Sequence, residues 1–186
     1  MEKKDPAAME YIGYLYREGE LGLKKDMSRA IELWTEAAKL GSAGACYKLG
    51  MAYVDGVGVG KDLEGAVRYY EKGAMLGHAG ARHNLGWHEY KRGNSDRALR
   101  HYLISAKMGV EASLVNIKKL LKDGIATKSQ YGDALKGYQD ALEEMKTPSE
   151  NTPRQFSIDL DQTDKVKYRI AARLSPEIIQ KQDRAS

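Results

Sequence analysis

The chain repeats itself with a period of about 36 residues. The runs Trp34-Thr-Glu-Ala-Ala-Lys-Leu-Gly41, Tyr70-Glu-Lys-Gly-Ala-Met-Leu-Gly77 and Tyr102-Leu-Ile-Ser-Ala-Lys-Met-Gly109 are copies of one segment. The first two lead through an alanine-rich stretch into Leu49-Gly50 and Leu85-Gly86. A period of this length marks paired helices that cannot bury their apolar faces alone and must stack on one another. It constrains function as well as fold, because stacked repeats more often build a surface that holds another molecule than a catalytic centre.

The helix grammar agrees with the period. Asp5-Pro6 is an N-cap followed by proline at the first helical position, and Asp26 caps a second helix. The spacing predicts helices from about Pro6 to Arg17, then near 27–40, 43–54, 63–76, 79–92, 95–108, 111–122 and 131–146, with Gly41 as a left-handed C-cap. The alanines Ala30, Ala66, Ala98 and Ala134 recur 36, 32 and 36 residues apart, and the rings Trp34, Tyr70, Tyr102 and Tyr138 keep the same spacing. The shorter interval lies in the third repeat, where Lys91-Arg-Gly-Asn-Ser-Asp96 replaces the longer loop 55–62. A deletion confined to a loop leaves both helices in phase. Gly13, Gly50 and Gly86 fall mid-helix, where glycine costs about 1 kcal/mol against alanine, so their recurrence predicts a helix crossing too close for a side chain.

The expected architecture is an all-α, right-handed α/α superhelix of about four helix-turn-helix repeats: 5–41, 42–77, 78–109 with the shortened loop, and a divergent, capping 110–146 in which Lys118 stands at the glycine position. Residues 147–186 read as a linker, Thr147-Pro-Ser-Glu-Asn-Thr-Pro153, and a polar tail that is either disordered or forms a capping helix near 163–174.

Composition narrows the function classes. Thirty basic and 26 acidic residues nearly cancel at +4, which gives no strong pull toward nucleic acid or anionic membrane. The aromatics are 12 tyrosines, two tryptophans and one phenylalanine, which suits half-buried rings with wet hydroxyl ends. Cys46 is the single cysteine, so an intrachain disulfide or a cysteine-rich zinc site cannot form. No apolar run approaches a membrane span and the polar N-terminus is no signal peptide, so the expected compartment is cytoplasmic or nuclear.

Several residues together resemble a known family. Leu49-Gly50-Met-Ala-Tyr53, the loop Gly56-Val-Gly58 with Lys61-Asp62, then Ala66 with Tyr70 and Ala74 with Gly77, resemble the Sel-1-like repeat, a glycine-rich relative of the tetratricopeptide repeat. The first repeat matches through Lys24-Lys-Asp26, Ala30, Trp34 and Ala37-Ala38, and the resemblance covers about 5–146. The stretch 77–86 and Ala126-Thr-Lys128 are most similar to short arrays of marine microalgae. The resemblance implies an adaptor that binds partner proteins, in some relatives within quality-control, ubiquitin-ligation or signalling assemblies. Algal relatives often carry a zinc-binding RING-type module before the repeats. One cysteine cannot supply it, so a ligase role would come through a partner or a longer parent chain.

Sequences that could carry chemistry are better explained by the repeat. The loop 55–62 resembles a phosphate loop, but Asp55 and Asp62 stand where glycine and Ser/Thr belong and a helix precedes it. His88-Glu89-Tyr-Lys-Arg92 lacks the second histidine of a zinc helix, and His78, His83 and His101 have no i+4 partner. Some Sel-1-like proteins are linked with β-lactam hydrolysis, yet no serine here has a lysine three residues on, and no Gly-x-Ser-x-Gly occurs. Cys46 lies among Ala45, Leu49 and Gly50 and reads as a buried structural thiol. The basic groups Lys91, Arg92, Arg97, Arg100 and Lys118, Lys119, Lys122, Lys128 read as solvated helix faces, since repeat-by-repeat base reading would need matching polar positions in each copy.

The reading is therefore a non-enzymatic scaffold with no cofactor and no metal. The first helix of each pair is expected to line a concave groove. With Ile12, Leu49, Leu85 and Ile117 as the buried reference, Glu10, Tyr14, Arg17, Tyr47, Met51, Val54, His83, Trp87, Tyr90, Val115, Lys119 and Lys122 point into it. The groove would be rich in Tyr, Met and Trp at one end and basic at the other, and would suit an extended or helical peptide carrying an acidic residue. Packing between neighbouring repeats is the other role open to Tyr14, Tyr47 and Trp87. The alternative function is a regulatory fragment of a ubiquitin-ligase-type complex, and a hydrolase comes last.

Overall fold

The computed structural model describes residues 5–146, and the expectations for 147–186 lie outside them. The described residues form eight helices: α1 (Pro6–Glu18), α2 (Met27–Lys39), α3 (Ala43–Asp55), α4 (Leu63–Met75), α5 (Ala79–Lys91), α6 (Ser95–Lys107), α7 (Glu111–Lys122) and α8 (Lys128–Lys146). They stack in chain order as an all-α solenoid. Each helix packs on the ones next to it in sequence, and the strongest pairings are α1 with α2, α3 with α4 and α5 with α6.

One side-chain device sets the pair geometry three times. Gly13 lies beneath the indole of Trp34, Gly50 beneath the ring of Tyr70, and Gly86 beneath Tyr102. A Cβ at Gly86 would sit 2.7 Å from Tyr102 Cε1, and at Gly13 and Gly50 it would run into Trp34 and Tyr70. The rings are almost fully covered, Trp34 at 1% exposure and the two tyrosines at 2%. The indole N–H of Trp34 donates to the Glu10 carbonyl at 3.0 Å, so its polar edge is satisfied where it meets the helix. Burial pushes the phenols of Tyr70 and Tyr102 up to about 12.

The turns between pairs are built alike. Gly41, Gly77 and Gly109 adopt positive φ, and the residue after each donates back across the helix end: Ser42 N to Ala37 O, His78 N to Gly73 O, Val110 N to Ser105 O. This satisfies carbonyls that would otherwise be orphaned. The same residue then starts the next helix. Ser42 Oγ accepts from Ala45 N at 3.0 Å, and His78 Nδ1 accepts from Ala81 N at 3.1 Å. Asp26 and Asp62 cap α2 and α4 by accepting from Arg29 N and Gly65 N. In the third pair the loop shrinks to 92–94, against 56–62 in the second.

The fourth pair departs from the pattern. The helix α8 starts at Lys128, three residues before the expected Tyr131, because Thr127 and Gln130 cap it reciprocally: Thr127 N donates to Gln130 Oε1 at 2.8 Å and Gln130 N to Thr127 Oγ1 at 3.1 Å. It packs more on α6 than on its own partner α7. Ala98, Leu99, Tyr102 and Ala106 of α6 join Leu114, Ile117 and Leu120 of α7 and Ala134 of α8 in one buried cluster.

Candidate partner-binding cleft

The expected groove residues sort into two environments. The first lies between repeats. Glu10 accepts from Ser42 Oγ at 2.5 Å and from Lys48 Nζ at 2.8 Å, above Gly44, where a Cβ would strike its carboxylate. Tyr47, one repeat on, stacks on His78 with centroids 4.4 Å apart and also touches Tyr70. His83, at the same position again, meets Ser113 Oγ at 2.8 Å through Nδ1 and lies 5.4 Å from Tyr102. Each of these side chains ties its repeat to the next. Val115 holds that position in the fourth pair and is 65% exposed, with no fifth pair following it among the described residues.

The second environment faces outward. Tyr14 stacks on Tyr11 and its hydroxyl donates to Glu20 at 3.1 Å, while Arg17 is exposed and paired with Glu18. Met51 and Val54 are half-buried against the cluster that α4 and α5 form between the second and third repeats. Trp87 is 43% exposed, whereas the other tryptophan, Trp34, is buried. Lys122 is exposed on α7.

Trp87, Tyr90 and Lys119 are brought together. With Lys91, Tyr102, Asn116 and Leu120 they line a cleft of about 160 Å³. The walls are the neighbouring first helices α5 and α7, and the floor is Tyr102 of α6 with Leu120. Lys91 Nζ sits 5.5 Å from the Trp87 ring centre and Lys119 Nζ 4.8 Å from that of Tyr90, both within cation–π range. A hydrogen bond with the Tyr90 side chain pushes the pKa of Lys119 up from the ordinary lysine value. His88 packs edge-on to Trp87 at 5.1 Å. Lys91, Asn116 and Leu120 are cleft residues that position counting missed. Lys91 could have been found, since it lies four residues after Trp87 on one helix and shares its face.

A second hollow of about 340 Å³ is lined by Tyr53, Asp62, Gly65, Arg68, Tyr69 and Lys72. Its polar groups already have partners: Tyr53 stacks on Tyr69, Arg68 pairs with Asp62 at 3.6 Å, and Lys72 donates to the Ala38 carbonyl at 2.6 Å.

The reactive-looking side chains have structural surroundings. Cys46 is buried and its thiol pKa is raised by burial, the opposite of an activated nucleophile. The four histidines are dispersed, and among the described residues no three His, Cys, Asp or Glu side chains gather to hold a metal. No described helix is long and apolar enough to cross a membrane.

Known proteins place this architecture. The Sel1 repeat family model matches residues 6–42, 43–78 and 79–110. A crystal structure of a Sel1 repeat protein from Oxalobacter formigenes superposes with a TM-score of 0.62 at 32% identity, over 75% of this chain and 58% of that one. A protective antigen of uropathogenic Escherichia coli strains displaying an SLR fold gives a TM-score of 0.62 at 26% identity, over 76% of this chain and 31% of that one. The chain thus spans less than two thirds of the length of these relatives. No curated protein matches it. Matches to three successive repeats, on helices that stack as the family's do, establish that the chain belongs to the Sel1 repeat family.

Proposed function

We propose that the chain is a non-enzymatic scaffold that holds a partner protein along the exposed face of its first helices, with the α5–α7 cleft as the anchor. The observation that carries this reading is Trp87. An indole 43% exposed beside a cleft leaves a large apolar surface in water on a protein that buries its other indole to 1%. Burying an aromatic side chain is worth about 1.5–3 kcal/mol, and partly exposed Trp and Tyr are the usual anchors of protein interfaces. Tyr14, Arg17 and Met51 extend the same face toward the first repeat, and Lys122 extends it toward the fourth. The residues between repeats, Tyr47 and His83, support the scaffold by locking the spacing of the helices that carry the anchors.

The test is affinity purification of the full chain against Trp87→Ala and Arg17→Ala variants, followed by measurement of each purified partner. Both side chains are exposed, so helical content and melting temperature should hold. Partner affinity should fall about thirtyfold for Trp87→Ala, as for a typical hot spot, and less for Arg17→Ala at the rim. Partners that bind both variants as tightly as the parent chain would refute the assignment of this face.

A further inference from the structure

We infer that the α5–α7 cleft takes an acidic peptide segment, with an apolar or aromatic side chain against Trp87 and Tyr90 and an adjoining carboxylate on Lys91 and Lys119. The inference rests on the scaffold reading above and names the chemistry of its partner. Three observations support it. Neither Lys91 nor Lys119 has a carboxylate within 4 Å among the described residues, although five other ion pairs form there. Each ammonium lies over a ring instead, Lys91 on Trp87 and Lys119 on Tyr90. The side chain of Asn116, on the opposite wall from Trp87, makes no hydrogen bond among the described residues and is free to meet a peptide backbone.

The surrounding charges agree in sign. Arg92, Lys118 and Lys122 are exposed nearby in sequence on the same two helices or their ends. Of the acids on these elements, Glu111 lies at the start of α7, eight residues before Lys119, Glu89 is taken by Asn94 Nδ2 at 2.8 Å, and Asp123 acts on Lys119 only through its field. A carboxylate arriving between the two lysines would gain charge-assisted hydrogen bonds in a partly desolvated cleft. Size decides against a free small molecule. At about 160 Å³ the cleft admits one side chain, below the several hundred Å³ of a ligand pocket. The near-balanced net charge of +4 also gives no strong pull toward a nucleic-acid strand.

The experiment is selection of a random displayed peptide library on the full chain, followed by titration of synthetic peptides. Intrinsic fluorescence reads the site, because Trp34 is buried and Trp87 is not. Enriched peptides should pair an aromatic or branched apolar residue with Asp or Glu within about three positions. Replacing that acid by its amide should weaken binding roughly tenfold or more, as should Lys91→Gln with Lys119→Gln, while the two Lys→Arg variants keep most of the affinity. Added salt should weaken binding in parallel. Enrichment of neutral or basic peptides that still need Trp87 would overturn the acidic specificity and leave the scaffold reading standing. No enrichment, together with purified partners indifferent to Trp87→Ala, would remove both. A single-stranded oligonucleotide that binds at Trp87 more tightly than the selected peptides would also overturn the inference.

Discussion

The glycine-and-ring contact is the smallest unit that explains this chain. Glycine inside a helix is a local loss of about 1 kcal/mol, and it recurs here because the ring above it leaves no room for a methyl group. Gly50→Ala should therefore destabilise by about 1–3 kcal/mol despite its better helix propensity, because the new Cβ meets the Tyr70 ring in a packed crossing. Gly132 is the internal control: it lies within α8, has ordinary helical φ, and nothing stands within 4 Å of an added Cβ. Gly132→Ala should stabilise by about 0.5–1 kcal/mol. Urea unfolding of both variants measures the contrast, and equal signs for the two would remove steric exclusion as the reason for Gly50. This contact was legible in the sequence because glycine and ring recur in step. The polar tie of Glu10 to Ser42 and Lys48 was not, because the next copy of that position, Tyr47, meets His78 by stacking, so the chemistry of the contact changes from one repeat to the next.

At the scale of the element, helix starts show which signals a sequence displays and which it conceals. Asp5 and Asp26 are ordinary caps found where expected, and Asp62 caps α4 in the same way. Thr127 and Gln130 form a capping box that places the start of α8 three residues earlier than periodicity alone suggests, because the first turn of that helix has no apolar stripe to mark it. His78 is harder to read, since histidine is not a usual cap and only alignment with Ser42 reveals it. Its role has a consequence in acid. Nδ1 accepts the Ala81 N–H, so it must be unprotonated, and burial followed by the charge of Lys48 lowers its pKa against the opposing pull of Glu10. His83, His88 and His101 are lowered by burial as well. A histidine whose folded pKa is depressed contributes stability fully above its unfolded value of about 6.5 and loses it as pH falls toward the folded value. Melting temperature should hold from pH 8 to 7 and decline below about 6.5. His78→Asn keeps a cap acceptor without a titrating ring, so it should flatten part of that decline at a cost in Tyr47 stacking. A melting temperature that rises on acidification to pH 5.5 would contradict the assignment.

Across the whole molecule, stability is a sum over neighbours. Helices meet mainly the elements beside them in sequence, so an injury should spread only as far as the next interface. The C-terminal half is the exception, because α8 packs on α6 as well as α7 and closes three helices around Leu114, Ile117 and Leu120. Repeat counting could place these helices but not that arrangement: a longer, degenerate last helix has no copy to be compared with, and its packing is decided by tertiary contact. The cleft has the same origin. Trp87 and Tyr90 are visible as surface aromatics of α5, but only stacking α7 beside it sets Lys119 and Asn116 opposite them. Leu120 is at once core and cleft floor, 1% exposed, and its truncation tests both ideas. Leu120→Ala should cost about 2–5 kcal/mol. Hydrogen exchange should show lost protection concentrated in α6, α7 and α8, fading through α4 and barely reaching α1 and α2. Uniform loss along the chain would mean that the repeats unfold as one unit, and the neighbour-by-neighbour account would fail. Loss confined to α7 would instead show that the α6–α8 contact contributes little, leaving the cleft floor held by α7 alone.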